Sequence, residues 1–164
     1  MSRANGKKEA IEKIQKWIGE EGLESGVIEQ PYADFQIDLR NPPVSIIIPK
    51  NKIDCVIFAT YVQLTQEDKK GFSELKDKEK KMEMLSDLQR SLIGINVEYN
   101  FSPDLDNLDK VSIGKNIYFD GLRKDRFMDS IFALKRAMAA VGLMSQRLQG
   151  RYYSNSSTRL TIYT

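Results

Sequence analysis

Three carboxylates crowd one short segment, "SPDLDNLDK", which carries Asp104, Asp106 and Asp109. Such a cluster invites two chemistries, calcium binding and paired acid–base work. A calcium loop of the EF-hand type needs Gly at its sixth position and Glu at its twelfth, and neither is supplied here. Asp and Asn are also what polar turns use to bond their own backbone. The rest of the catalytic inventory is short. The chain has no histidine and one cysteine, which removes Ser-His-Asp and Cys-His pairs, imidazole proton shuttles and multi-cysteine zinc sites. The thiol, Cys55, sits among Ile53, Val56, Ile57 and Phe58, where burial raises a thiol pKa and leaves it inert. Gly19, Gly22 and Gly26 are too widely spaced for a phosphate-cradling loop and follow no strand. The expectation is a protein without catalytic residues, metal or cofactor.

What remains is surface, and the elements that would present it follow from periodicity. In "KKEAIEKIQKWIGEEG", Ile11, Ile14, Trp17 and Ile18 form one helical stripe. "DFQIDLR" alternates Phe35, Ile37 and Leu39 with polar residues, as a half-buried strand does. Asn41-Pro42-Pro43 breaks it, "VSIII" resumes as a second strand, and a turn at Pro49–Lys52 leads into a third, "KIDCVIFATYVQL". This run is apolar on both faces. Ile53, Cys55, Ile57, Ala59 and Tyr61 line one, and Val56, Phe58, Val62 and Leu64 the other. Thr65 begins a helix as N-cap with an acid three residues on. Leu75, Met82, Leu85, Leu88 and Leu92 form its seam, and Gly94 is the expected C′ residue. "INVEYNF" and "VSIGKNIYF" read as fourth and fifth strands, with a bulge expected at Gly114. The last helix, "RKDRFMDSIFALKRAMAAVGLMSQRLQ", carries apolar residues over more than the roughly 100° that one core face needs, and Gly150 stops it.

The predicted order is α-β-β-β-α-β-β-α, an α+β fold on a five-stranded antiparallel sheet. The chain's 164 residues suit one domain, assigned to residues 1–150. The tail 151–164 alternates around Leu160 and Ile162 as a short extra strand would. With 41% hydrophobic and 29% charged residues, the composition is that of a globular protein. The polar start "MSRANGKKEA" has no apolar region behind it, and a lone cysteine suits a reducing compartment. The cytoplasm is therefore the expected location, with no membrane partner.

This order of elements is similar to that of the class I type III secretion chaperones and the related YbjN-type bacterial regulators. The segment "NIYFDGLRKDRFMDSIFALKRAM", Asn116 to Met138, resembles a segment of an uncharacterised archaeal family given the same chaperone-like fold. It carries a strand ending in Tyr118-Phe119, the turn Asp120-Gly121-Leu122, and a helix led by Arg126-Phe127-Met128. The resemblance implies first and last helices packed on one face of the sheet, a homodimer, and a role in holding partner polypeptides without chemistry.

Two surfaces could then carry function. The second face of the third strand must be covered by the second helix or by another subunit. The apolar surplus on the last helix favours the subunit, since monomers rarely expose large apolar patches. Val56, Phe58 and Val62 on the sheet, with Met138, Leu143 and Met144 on the last helix, are the expected partner or dimer contacts, and a charge at Phe58 is expected to break them. The alternative is nucleic acid. From Arg123 onward the chain has eight basic and two acidic side chains, net +6, and Arg123, Lys124, Arg126, Lys135, Arg136, Arg147 and Arg151 could contact phosphates.

Overall fold

The computed structural model describes residues 3–50 and 53–150. Helix α1 (Arg3–Glu20) is followed by strands β1 (Ser25–Val27), β2 (Ala33–Leu39), β3 (Val44–Pro49) and β4 (Cys55–Gln63). Helices α2 (Gln66–Glu74) and α3 (Lys78–Ile95) lead to β5 (Glu98–Ser102) and β6 (Lys110–Tyr118). A 3-10 turn, Phe119–Gly121, opens into the long helix α4 (Lys124–Leu148). The six strands form one antiparallel sheet in the order β1-β2-β3-β4-β6-β5. Among the described residues no helix is long and apolar enough to cross a membrane.

The α+β class and the antiparallel sheet are as expected, with one strand more. β1 is three residues long and pairs with the end of β2; its sequence, Ser-Gly-Val, has no alternation to announce it. The predicted second helix is two helices. Thr65 caps α2 through a capping box: its hydroxyl accepts from the Asp68 N–H at 3.1 Å, and Asp68 accepts from the Thr65 N–H at 2.9 Å. Asp77 then caps α3, accepting from the Glu79 and Lys80 N–H groups. The left-handed residue that ends α3 is Asn96, with φ 62°, not Gly94, which lies within the helix. Gly114 makes no bulge, since it pairs in register with both Ala59 and Glu98; the irregularity lies between Ala33 and Phe35. Gly150 closes α4 with φ 70°. The tail 151–164 lies outside the described residues.

Register decides which side of the sheet is covered. Leu39, Val44 and Ile46, with Phe58, Val56, Ile117 and Val111, point to one side and all belong to a single core cluster. That cluster also takes Ile14 and Trp17 from α1, Phe72 from α2, Leu85, Leu88 and Leu92 from α3, and Phe127, Ile131, Leu134 and Val141 from α4. All four helices therefore contribute to the core on this side. At its centre the Phe127 ring meets Trp17 at 5.4 Å and Phe58 at 5.5 Å between centroids, in the tilted and edge-on geometries that aromatic rings prefer. The wide apolar face of α4 has its explanation here, because α4 packs on β4 and β6 and against α3 as well.

A buried carboxylate ties α2 to α4. Asp68 accepts from Ser145 Oγ at 2.6 Å and from Gln149 Nε2 at 2.7 Å, besides its bond to Thr65. Burial pushes its carboxyl up, but these hydrogen bonds together hold it below the ordinary range. A depressed carboxylate stabilises the fold above its unfolded pKa, and that contribution is lost as pH falls through the folded value. Asp68→Ala is expected to cost about 1–3 kcal/mol at neutral pH, with the gap from wild type closing as urea denaturation is followed down into acid. Phe127→Ala is expected to cost about 3–5 kcal/mol by the same measurement, as a fully buried ring is lost.

Candidate functional site

Among the described residues, no helix packs over the opposite side of the sheet. This side is built by the alternate residues of the same strands. Register brings Asp38, Ser45, Ala59, Gly114 and Glu98 into one row across β2, β3, β4, β6 and β5. A second row holds Gln36, Ile47, Ile57 and Asn116. On the other flank lie Tyr61, Ser112 and Asn100. The first row is small in its middle, and at Gly114 an added Cβ would stand 3.5 Å from the Phe58 carbonyl oxygen. The result is a shallow hollow of about 460 Å³, with Ser45, Ala59 and Gly114 as floor and Ile47, Tyr61 and Tyr32 among its walls.

Polar groups fix the rim. Tyr32 donates its hydroxyl to Gln36 Oε1 at 3.0 Å, and Gln36 Nε2 donates to Asp38 Oδ1 at 2.9 Å. Lys110 lies 5.6 Å above the Tyr61 ring, within reach of a cation–π contact. Tyr61 and Tyr118 are each 63% exposed. Cys55 shares this side of β4, yet it is buried, and burial with help from Asp54 pushes its thiol up. Among its described residues the face offers aromatic, aliphatic and amide contacts.

The sequence-based contact residues fall elsewhere. Val56 and Phe58 are fully buried under the helices, Val62 packs against the same core, and Met144 is buried with them. Met138 is half-buried, its sulfur 3.5 Å from Thr60 Oγ1. Only Leu143 is open, at 54% exposure, beside a groove of about 350 Å³ between α3 and α4. Helices cover the face of Val56, Phe58 and Val62, where a second subunit is expected, and the face of Ile57 and Ala59 is the open one. Both faces of β4 are apolar, so β4 alone could not decide. The neighbours hold the missing signal: Gln36, Asp38, Ser45, Ser112, Asn116 and Glu98 all share the side of Ile57 and Ala59.

Three of the basic candidates are engaged with acids. Arg123 bonds Asp125 at 3.0 Å, Lys124 bonds Glu20 and Glu21 at 2.9 and 2.6 Å, and Arg147 bonds Asp87 at 3.2 Å. The contacts to Glu21 and Glu20 raise the Lys124 pKa. Arg126, Lys135 and Arg136 are exposed on α4, and Arg151 lies outside the described residues. The carboxylates of "SPDLDNLDK" are local too. Asp104 accepts from the Asp106 and Asn107 N–H groups, and Asp109 pairs with Lys69. Among the described residues no cluster of three His, Cys, Asp or Glu is placed to hold a metal.

Residues 10–144 match the model of a family described as uncharacterized conserved protein, DUF2299. The chain belongs to that family. The crystal structure of an uncharacterized protein from Methanothermobacter thermautotrophicus superposes on this DUF2299 chain with a TM-score of 0.72 at 26% identity, covering 87% of this chain and 98% of that one. YbjN from E. coli is similar at 10% identity and a TM-score of 0.44, with 87% and 90% covered. No curated protein matches the chain. The family match and the archaeal structure meet the resemblance drawn from Asn116–Met138.

The two sides of β4 should respond oppositely to charge. Ile57→Lys, on the open face of this DUF2299 fold, is expected to change stability by no more than about 1 kcal/mol in dilute solution. Phe58→Glu, one residue on, buries a charge in the core and is expected to abolish the cooperative thermal transition followed by circular dichroism. Similar melting of the two variants would contradict the assignment of faces.

Proposed function

We propose that the protein is a non-enzymatic binding module, chaperone-like or regulatory, that works as a homodimer and takes up protein on its open sheet face. The observation that carries this reading is the asymmetry of the sheet: one side lies under four helices, while the other presents Tyr32, Ile47, Ile57, Tyr61 and Tyr118 around a small-residue floor. Aromatic residues are enriched at protein interfaces, where a rigid ring supplies contact area at low entropic cost. A nucleic-acid role has less support, because the basic residues of α4 are partly neutralised by Glu20, Glu21 and Asp87.

Hydroxyl-radical footprinting tests the reading directly. Tyr61 and Tyr118 are expected to oxidise readily in dilute purified protein and to be protected in concentrated protein or in extract of the native host. Leu143 and Phe132 on α4 serve as exposed controls. Equal oxidation of the two tyrosines under all three conditions would remove the open face as a binding surface.

A further inference from the structure

The open face is corrugated in a way that fits itself. Same-face residues along a strand repeat every ~6.8 Å, so the row of Ile47 and Ile57 stands as a ridge immediately beside the trough of Ser45, Ala59 and Gly114. Consider a two-fold axis that runs parallel to these rows, midway between ridge and trough. Rotation about it carries each ridge over the trough of the other copy, placing Ile57 over Ala59 and Ile47 over Ser45. Both contacts occur twice, as an isologous interface demands. The same operation brings Tyr61 over the row of Cys55 and Tyr118, which are paired across β4 and β6. At the β2 end, Asp38 of the trough row comes over the row of Gln36 in the second copy, where the buried amide lies beside the exposed Tyr32 that bonds it, and no second carboxylate stands there.

The spacing suits such a pairing, and the flat area of the sheet approaches what one needs. The strands hold 39 residues, and at ~16 Å² of sheet per residue they present roughly 600 Å² before side-chain relief is counted. A stable interface needs about 800 Å² of accessible surface from each partner. Two sheets packed face to face sit ~10 Å apart with interdigitated side chains, a gap that isoleucines can fill only where the opposite residue is small. Ser45, Ala59 and Gly114 supply that room.

We infer that the open sheet face is occupied by a second copy of this chain, with the Ile47–Ile57 ridge of each copy seated in the Ser45–Ala59–Gly114 trough of the other. The inference rests on the reading of this face as protein-binding, and it fixes the occupant.

A charge-swap experiment tests it by sedimentation equilibrium. Wild type is expected to sediment at twice the 18.8 kDa chain mass in the micromolar range. Ile57→Lys and Ala59→Asp, each alone, place an unpaired charge against the other copy twice and are expected to sediment as folded monomers. Mixed in equal amounts they are expected to regain the dimer, because one contact becomes Lys against Asp while its symmetry mate stays Ile against Ala. Where either charge prevents folding, Ile57→Ser is expected to weaken association at least tenfold while the fold is kept. A dimer indifferent to all three substitutions, or no recovery on mixing folded variants, would overturn the ridge-and-trough interface. A monomeric wild type whose Tyr61 and Tyr118 are protected only in host extract would overturn the second copy as occupant and leave the binding face standing.

Discussion

The ring of Phe127 lies between those of Trp17 and Phe58, and through it the first helix, the last helix and the central strand share one contact. That contact sets which side of the sheet is the inside. Once Phe58 turns toward the helices, the pleat sends Ile57 and Ala59 the other way, and pairing with β3 and β6 carries the choice across the sheet. A one-residue slip of β4 would exchange a fully buried Phe58 for an Ala and leave its ring in water, so the register is strongly specified. The Asp68 cluster acts at the far end of α4 in a complementary way. Its hydrogen bonds to Ser145 and Gln149 hold the helix along its length, where the aromatic contact alone would fix only its first turns.

Much of this was legible in the residues. The stripe of Ile14, Trp17 and Ile18, the alternation of β2 and the Thr65 cap follow local rules and appear where those rules put them. The features that escaped depend on partners distant in the chain. β1 is a strand because the end of β2 offers it a ladder, not because Ser25-Gly26-Val27 favours extension. The two-sided apolarity of α4 was apparent, but its second side is met by α3 within the same chain. That arrangement is settled by where the α2–α3 segment crosses, on the helical side rather than over the open face.

The open face escaped for a related reason. An exposed binding surface and a core can both be apolar, so composition along one strand does not distinguish them. Distinguishing them takes the cross-strand neighbours. Ile57 keeps company with Asn116, Ala59 with Ser45 and Gly114, and Tyr61 with Ser112, whereas Phe58 and Val56 are in a cluster with Ile46 and Ile117. No residue in the chain states that pairing by itself. Cys55 shows the same limit in miniature: its inertness could be expected from apolar neighbours, but its place on the open side of the sheet could not.

The polar residues of that face suit the proposed binding of protein while also tolerating water. A face made only of isoleucine and tyrosine would form an exposed apolar patch of the kind that aggregates. Here the apolar ridge is bounded by Gln36 and Asn116, and the trough by Asp38 and Glu98. Gln36 and Asp38 are already engaged with each other and with Tyr32, so they can approach a partner while keeping those bonds. This is the distribution of an interface with an apolar centre and a polar rim. The proposed pairing needs this floor to be small: large side chains at Ser45, Ala59 and Gly114 would level the corrugation, and a flat sheet would meet any partner equally badly in every register.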